Sequence, residues 1–409
     1  MTSTPHSVDG FPTARRCPFD PPSAFAALRA ERPIVRMAYP GGSDGWLVTG
    51  YALSRDALTH PALSARHELR ASPIPMPLTP AAAPPGVFIG MDAPEHTRYR
   101  GPLNRHFTVR RVRKLEPAIE QATAERISAL EALEALEGAG SPADLMAEFA
   151  MPIPVQVISE LLGSTDEITD EIQRLRATTL DRGSPSVDAA AAVGATNARM
   201  TDLVRLRRAS PSDDLLSVLI TDGDLNDEEL AGLAMMMLIA GHETTANMIA
   251  MAIYLLLSDE ALRVAVLGLS DPYDTRGAEL SDDMVNELLR HLSVTQFVSR
   301  AATEDLELGG VRISAGETVT VSLSAANRDP EQFDDPETFR TEGPVNSHIA
   351  FGHGLHQCIG HNLARSEMKI AIPALFRAFP RLQLAGKEAE FGTREGFTIH
   401  GVDRLPVTW

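Results

Sequence analysis

The chain has 409 residues, a length that allows two or three average domains and a large buried core. Apolar residues make up 44% and charged residues 22%, which excludes collagen-like and largely disordered classes. With 37 basic against 55 acidic residues the net charge is −18, which argues against a protein that binds nucleic acid or anionic membranes over its whole surface.

The first residues carry no apolar stretch of the kind a secretory signal needs, and residues 1–17 read as a flexible polar tail with no evident role for Cys17. A short helix (Pro22–Arg29) and two strand-like runs (Ile34–Met37, Gly45–Thr49) follow, in a β-containing lobe over about 30–65. The Pro-rich segment Ala71–Gly90 reads as a long functional loop. Helices are expected over Glu95–Phe107, Pro117–Leu136, Pro154–Leu162, Asp166–Thr179 and Ala189–Arg208. Pro117 and Pro154 suit first helical positions, where a missing N–H costs nothing.

The clearest helix runs from a capping box, Asn226 with Glu229, to about Leu257. It is apolar nearly all round, as a central buried helix must be, yet its middle reads Gly241-His242-Glu243-Thr244-Thr245. A carboxylate there is costly unless paired or used. The longest uncharged apolar run, Thr244–Ser258, is shorter than the roughly 20 residues that span a bilayer, so no membrane span and a cytoplasmic location are expected. A helix over Asp282–His291, strands between Val294 and Ser324, an irregular stretch to Gln357 and a helix over Ile359–Phe379 complete the chain. With no linker long enough to divide them, the elements read as one mainly α domain, 1–409, with a minor β part.

Two cysteines exclude a disulfide framework and a four-cysteine zinc site. Cys358 follows the glycine-rich Phe351-Gly352-His353-Gly354-Leu355-His356-Gln357 and precedes Ile359-Gly360. Glycines there admit close approach of a flat ligand, and the start of a helix favours a thiolate. A lone thiolate of this kind suits an axial position on haem iron; a buried structural cysteine is the other reading.

The ten-residue segment resembles the haem-binding loop FGxGxHxCxG of the cytochrome P450 family at every specified position. Three more blocks agree in order and spacing: Ala240-Gly241-His242-Glu243-Thr244-Thr245, the ExxR set Glu287-Leu288-Leu289-Arg290, and Asp92-Ala93-Pro94-Glu95-His96-Thr97-Arg98-Tyr99-Arg100. The resemblance spans about Pro18 to Trp409 and is nearest to soluble bacterial members that tailor natural products or oxidise foreign compounds. It implies the cytochrome P450 fold, with haem b held between the long central helix and the Cys-loop helix, and Cys358 as ligand to iron. Glu243 and Thr244 would be catalytic, handling protons and oxygen. The cofactor would be bound by His96, Arg100, Ala240, Gly241, Arg300, His348, Phe351, Gly352, His356, Cys358 and Gly360, with His96, Arg100, Arg300, His348 and His356 on the propionates. Glu287 and Arg290 would brace the Cys loop. The family's further brace arginine falls at Gly343 here, and the nearest arginine is Arg340.

The reaction implied is insertion of one oxygen atom from O2 into a hydrophobic small molecule, by hydroxylation or epoxidation of a secondary metabolite. No GxGxxG follows a strand, so NAD(P)H electrons must arrive through an external ferredoxin and ferredoxin reductase. The acid-free basic run Arg98–Lys114 would dock the ferredoxin, and the enzyme is expected to be a monomer with no nucleic-acid partner. A peroxide-driven enzyme of the same fold and a non-catalytic haem or ligand carrier are the alternatives. By the same resemblance, substrate would meet Ala71–Gly90, Ala177–Ala192, Met236–Ala240, Val294–Val298 and Gly396–His400, with Gln296, Thr398 and His400 as polar candidates.

Overall fold

The central helix spans Asp227–Ser258 in the computed structural model, which describes residues 7–75, 81–138, 140–165, 167–171, 186–345, 347–386 and 391–409. Its start is a local device: the Asn226 side chain accepts the Glu229 N–H at 3.0 Å, and Glu229 accepts the Asn226 N–H at 2.9 Å. Helices Pro152–Leu162, Ser186–Ala209 and His361–Ala378 pack around it, which is why apolar residues on every face are buried. The helix is unbroken through Gly241. Glu95–Asn104, Glu116–Glu137 and Asp282–Leu292 also lie where the periodicity puts them, and Pro152 rather than Pro154 takes the first turn of its helix. Of the helix expected over Asp166–Thr179, residues 167–171 are helical and the rest lies outside the described residues.

Among the described residues, three helices of seven or more residues were not expected: Tyr51–Thr59, Leu215–Asp222 and Glu260–Val266. The last two carry ordinary aspartate caps, Asp214 accepting from Ser217 N–H and Asp259 from Leu262 N–H. The first is completed from far away, because the Tyr51 N–H donates to the buried carboxylate of Asp329 at 2.7 Å.

A six-stranded sheet is ordered Ser7–Asp9, Ile34–Ala38, Asp44–Val48, Thr318–Ser322, Phe297–Ala302, Leu63–Ser64. The early lobe is thus closed by strands from the C-terminal half, Trp46 lying beside Val319 and Ser299 beside Thr320. A three-stranded sheet joins Gln383–Leu384, Pro406–Thr408 and Ala143–Asp144, and a hairpin pairs Leu306–Leu308 with Val311–Ile313. Among the described residues no helix is long and apolar enough to cross a membrane.

Residues 7–17 are not the loose tail expected. Ser7–Asp9 pairs in parallel with Arg36–Ala38, and the buried Phe11 ring packs against Phe25 and Phe297 at 5.4 and 4.7 Å between centroids. Arg15 donates to Gln296 Oε1 at 2.8 Å. Ladder bonds and an aromatic cluster tie the segment down, neither of which its polar composition reveals.

Candidate functional site

The Cys loop leaves the irregular stretch through a tight turn. The Cys358 N–H donates to the Phe351 carbonyl at 2.8 Å, closing the loop before the helix His361–Ala378. Gly354 has φ +74°, and a Cβ there would lie 2.8 Å from the Thr59 methyl and 3.0 Å from the Leu58 carbonyl, so only glycine lets the loop seat on helix Tyr51–Thr59. Desolvation by the protein atoms crowding its sulfur pushes the Cys358 thiol up although the residue surface stays exposed, while the Gly360 N–H and the guanidinium groups of Arg100 and Arg365 pull it down. Arg365, not singled out from sequence, lies over the Phe351 ring at 4.6 Å and donates to Asn286.

The central helix and the Cys helix meet where Thr245 bonds the buried carboxyl of Glu367, whose pKa burial pushes up to about 8. N-terminal to that contact, both elements carry exposed side chains. Ile239 is 48% exposed although Met236, Met237 and Leu238 beside it are buried, and Ala240, Leu355 and Cys358 are exposed too. Ile239–Ala240 on the central helix and Leu355 in the Cys loop thus leave apolar surface open on both elements, as ligand-binding surfaces do.

Cationic and donor groups converge at one edge. His96 and His356 rings lie 4.3 Å apart between centroids. Burial pushes His356 down to about 3, with Arg300, His96, Arg100 and Arg70 adding repulsion. Burial also lowers His96 to about 4 and Arg300 to about 10. Arg70, which sequence reasoning missed just ahead of the Pro-rich loop, joins Arg300 on the Ser299 carbonyl at 3.2 and 3.0 Å. Arg100 donates to the Gln357 carbonyl at 2.6 Å. Among the described residues the acid acting on this cluster is Asp92, already engaged by the Ser64 hydroxyl at 2.5 Å and the Ala65 N–H at 2.8 Å. Both ring nitrogens of His96 are buried without a hydrogen-bond partner. Orphaned buried donors beside uncompensated cations are costly unless an anion meets them. The cluster therefore fits the two propionates of haem.

His348, expected in this cluster, is not there. Its Nδ1 accepts the Ala350 N–H, its Nε2 donates to Asn286 Oδ1 at 3.3 Å, and the charges acting on it are Arg365 and Arg290. Its bonds and neighbouring charges place it against the ExxR helix.

Glu287 and Arg290 form a bidentate pair at 2.7 Å with both side chains fully buried. Arg340 does help in place of the absent brace arginine, but through its backbone: its N–H donates to Glu287 Oε1 at 2.7 Å. Of the acid–alcohol pair, the Thr244 hydroxyl donates to the Ala240 carbonyl at 2.9 Å, and Glu243 is ion-paired to Arg394 at 2.7 Å. Gln296 and His400 bond the chain rather than a ligand, Gln296 donating to Phe397 O at 2.6 Å and His400 Nε2 to Pro18 O at 2.7 Å.

The basic run is partly neutralised. Arg98 pairs with Glu229 and Arg105 with Asp222. Arg110, Arg111, Arg113 and Lys114 take no acidic partner among the described residues, and their short helix Val109–Val112 lies against the Cys helix, where Asn362 bonds the Phe107 carbonyl at 3.0 Å.

The fold, with Cys358 exposed beside the cationic cluster, is that of a haem-thiolate oxygenase. Residues 196–393 match the family described as Cytochrome P450. Cytochrome P450 105C1 of a Streptomyces species is 40% identical over 98% of both chains. Pentalenic acid synthase of Streptomyces avermitilis is 38% identical over 98% of this chain and 97% of its own. The crystal structure of CYP105P1 in complex with filipin I superposes with a TM-score of 0.85 at 38% identity, covering 98% of this chain and 99% of that one. The chain belongs to the cytochrome P450 family, and it is a monooxygenase of the haem-thiolate type, with a cysteine as ligand to iron.

Proposed function

We propose that the protein uses O2 to hydroxylate or epoxidise a hydrophobic small molecule of secondary metabolism. One oxygen atom enters the substrate and the other leaves as water, with two electrons and two protons supplied. The observation that carries this reading is the edge cluster: five donors and cations with no free anion, two orphaned nitrogens on His96, and Cys358 exposed beside the cluster. Arg70, His96, Arg100, Arg300 and His356 would hold the propionates, Phe351, Gly352 and Gly360 would shape the proximal side, and Ala240 and Gly241 the distal side. Haem with a cysteine thiolate ligand supplies the O–O cleavage chemistry.

The protein's own residues then orient the reactants and move protons. The Thr244 hydroxyl can exchange its bond to Ala240 O for one into the cofactor site. Glu243, adjoining it on the helix, has one oxygen paired with Arg394 and, among the described residues, the other without a hydrogen bond, so it can pass protons inward. Buried Met236 and Met237 beside exposed Ile239 make the distal wall apolar and adaptable, in keeping with a hydrophobic substrate. Pentalenic acid synthase and the filipin-bound CYP105P1 point to the same class of substrate. The exposed Arg110, Arg113 and Lys114 with the half-buried Arg111, beside the Cys helix of a protein of charge −18, would steer an acidic ferredoxin to the cofactor's near side in the cytoplasm.

The test is the absorption spectrum of the dithionite-reduced protein with carbon monoxide. A strongly red-shifted Soret band that Cys358→Ser abolishes is expected. No haem absorption, or a band typical of histidine ligation, would sink the reading.

A further inference from the structure

Resting on that reading, we propose that Arg394 is a positioning residue for Glu243: it fixes the carboxylate by one oxygen, and so ties the proton-handling turn of the central helix to the hairpin of residues 391–404.

The geometry is built from both sides of the hairpin. Thr393 and Val402 form a bridge, and the Arg394 N–H donates to the Gly401 carbonyl at 3.0 Å. From one side Arg394 Nη1 reaches Glu243 Oε1 at 2.7 Å, with the arginine side chain 10% exposed and the glutamate 19%. From the other side the hairpin backbone lies directly on the helix: a Cβ at Gly401 would stand 1.8 Å from Asn247 Oδ1. Asn247, one turn beyond Glu243, donates to the Glu243 carbonyl at 2.8 Å. The hairpin therefore holds Glu243 by its side chain and, through Asn247, by its backbone.

Arg394 is itself held. Its guanidinium lies 5.0 Å from the Phe397 ring centroid, and Asp403 Oδ1 is 3.8 Å from its Nε. Asp403 is 43% exposed and more distant, so Glu243 is the stronger partner. The tip of the same hairpin is stitched to the segment that leads into strand Phe297–Ala302. Gln296 N–H donates to Thr398 O at 2.9 Å and His400 N–H to Val294 O at 2.7 Å. That strand carries Arg300. One ion pair thus connects the acid on the distal helix with a hairpin that also abuts the strand of the cofactor's edge cluster. Among the described residues Glu243 Oε2 accepts no hydrogen bond, so the pairing leaves this oxygen for water. Without Arg394 the carboxylate loses its fixed direction, and protons reach the cofactor site less reliably.

Hydrogen–deuterium exchange of the haem-loaded protein tests the link without turnover. Glu243→Gln, which keeps shape and removes charge, is expected to speed exchange of peptides from 391–404 by about tenfold. Arg394→Gln should do the same, Arg394→Lys should stay near wild type, and the double Gln variant should be no faster than either single one. Steady-state assays use NADPH, a surrogate ferredoxin and reductase, and 7-ethoxycoumarin as probe. Peroxide released per NADPH consumed should rise about threefold or more in Arg394→Gln and be restored in Arg394→Lys. A purely structural role for Arg394 would lower haem retention but leave that ratio unchanged in the loaded fraction. Unchanged hairpin exchange in Glu243→Gln, or an unchanged peroxide ratio in Arg394→Gln, overturns the proposal. If wild type consumes no NADPH, the monooxygenase reading falls instead, and the exchange measurement still decides the ion pair.

Discussion

Replacing Glu287 by Gln removes one charge from a pair that has no access to water. Both carboxylate oxygens are committed, Oε2 to Arg290 Nε and Oε1 to Arg290 Nη2 and the Arg340 N–H, each at 2.7 Å. Gln keeps the volume but turns one acceptor into an NH2 that faces those donors. Arg290 stays hydrogen-bonded to the carbonyls of Asn327, Pro336 and Thr338 at 2.9, 2.9 and 3.1 Å, yet its charge is left buried and unpaired. Breaking one side of a buried pair costs about 3–5 kcal/mol, against a whole-protein stability on the order of 5–15. With a urea m-value of about 3 kcal/mol/M, the midpoint falls by about 1–1.7 M. The segment 327–338 that Arg290 grips leads into the Cys loop, so haem retention should fall in parallel. Urea titrations followed by far-ultraviolet circular dichroism and by the Soret band check both effects. A midpoint within about 0.3 M of wild type would refute the assignment of this pair as the brace.

Gly343→Arg, which installs the family's missing arginine, should destabilise rather than brace. Gly343 has φ +82° and its Cβ would stand 3.6 Å from Arg340 Nη2, so a loss of about 1–2 kcal/mol is expected, and a raised melting temperature would refute this. His96→Phe should act with opposite signs. The apoprotein gains about 1 kcal/mol by losing orphaned buried nitrogens while haem affinity drops, and a drop in both would contradict the propionate role. For His400, burial and the charges of Arg15 and Arg394 hold the pKa at about 3, below the ordinary 6.5. As pH falls the unfolded chain takes the proton first, so this group's contribution is full above about pH 6.5 and is lost down to about 3, by up to about 1.4 kcal/mol per unit. His400→Asn should flatten the decline in guanidinium midpoint between pH 6.5 and 4.5, and an unchanged slope would count against it.

What the amino-acid order determined by itself is what depends on neighbours a few positions apart. The Asn226–Glu229 box, the all-round apolar central helix and the i, i+3 spacing of Glu287 and Arg290 are local, and each lies where it was read. The Cys loop was legible for the same reason, since its glycines and its thiol occupy ten consecutive residues. Tertiary structure decided which charges meet. Helix Tyr51–Thr59 has no side-chain cap of its own and depends on Asp329, across 278 positions. Arg70 and Arg394 sit in segments that read as loops, and only packing turns them toward Ser299 and Glu243. His348 lies eight residues before His356, but packing gives it Asn286 of the ExxR helix as its partner. Residues 7–17 look like a tail because their bonds run to a strand 29 positions on and to Phe297 and Gln296, hundreds of positions away. Periodicity and caps are short-range physics and survive in one dimension. The partner of a buried charge is set by the fold, because burial makes each such group take whatever opposite charge or donor the packing brings within reach.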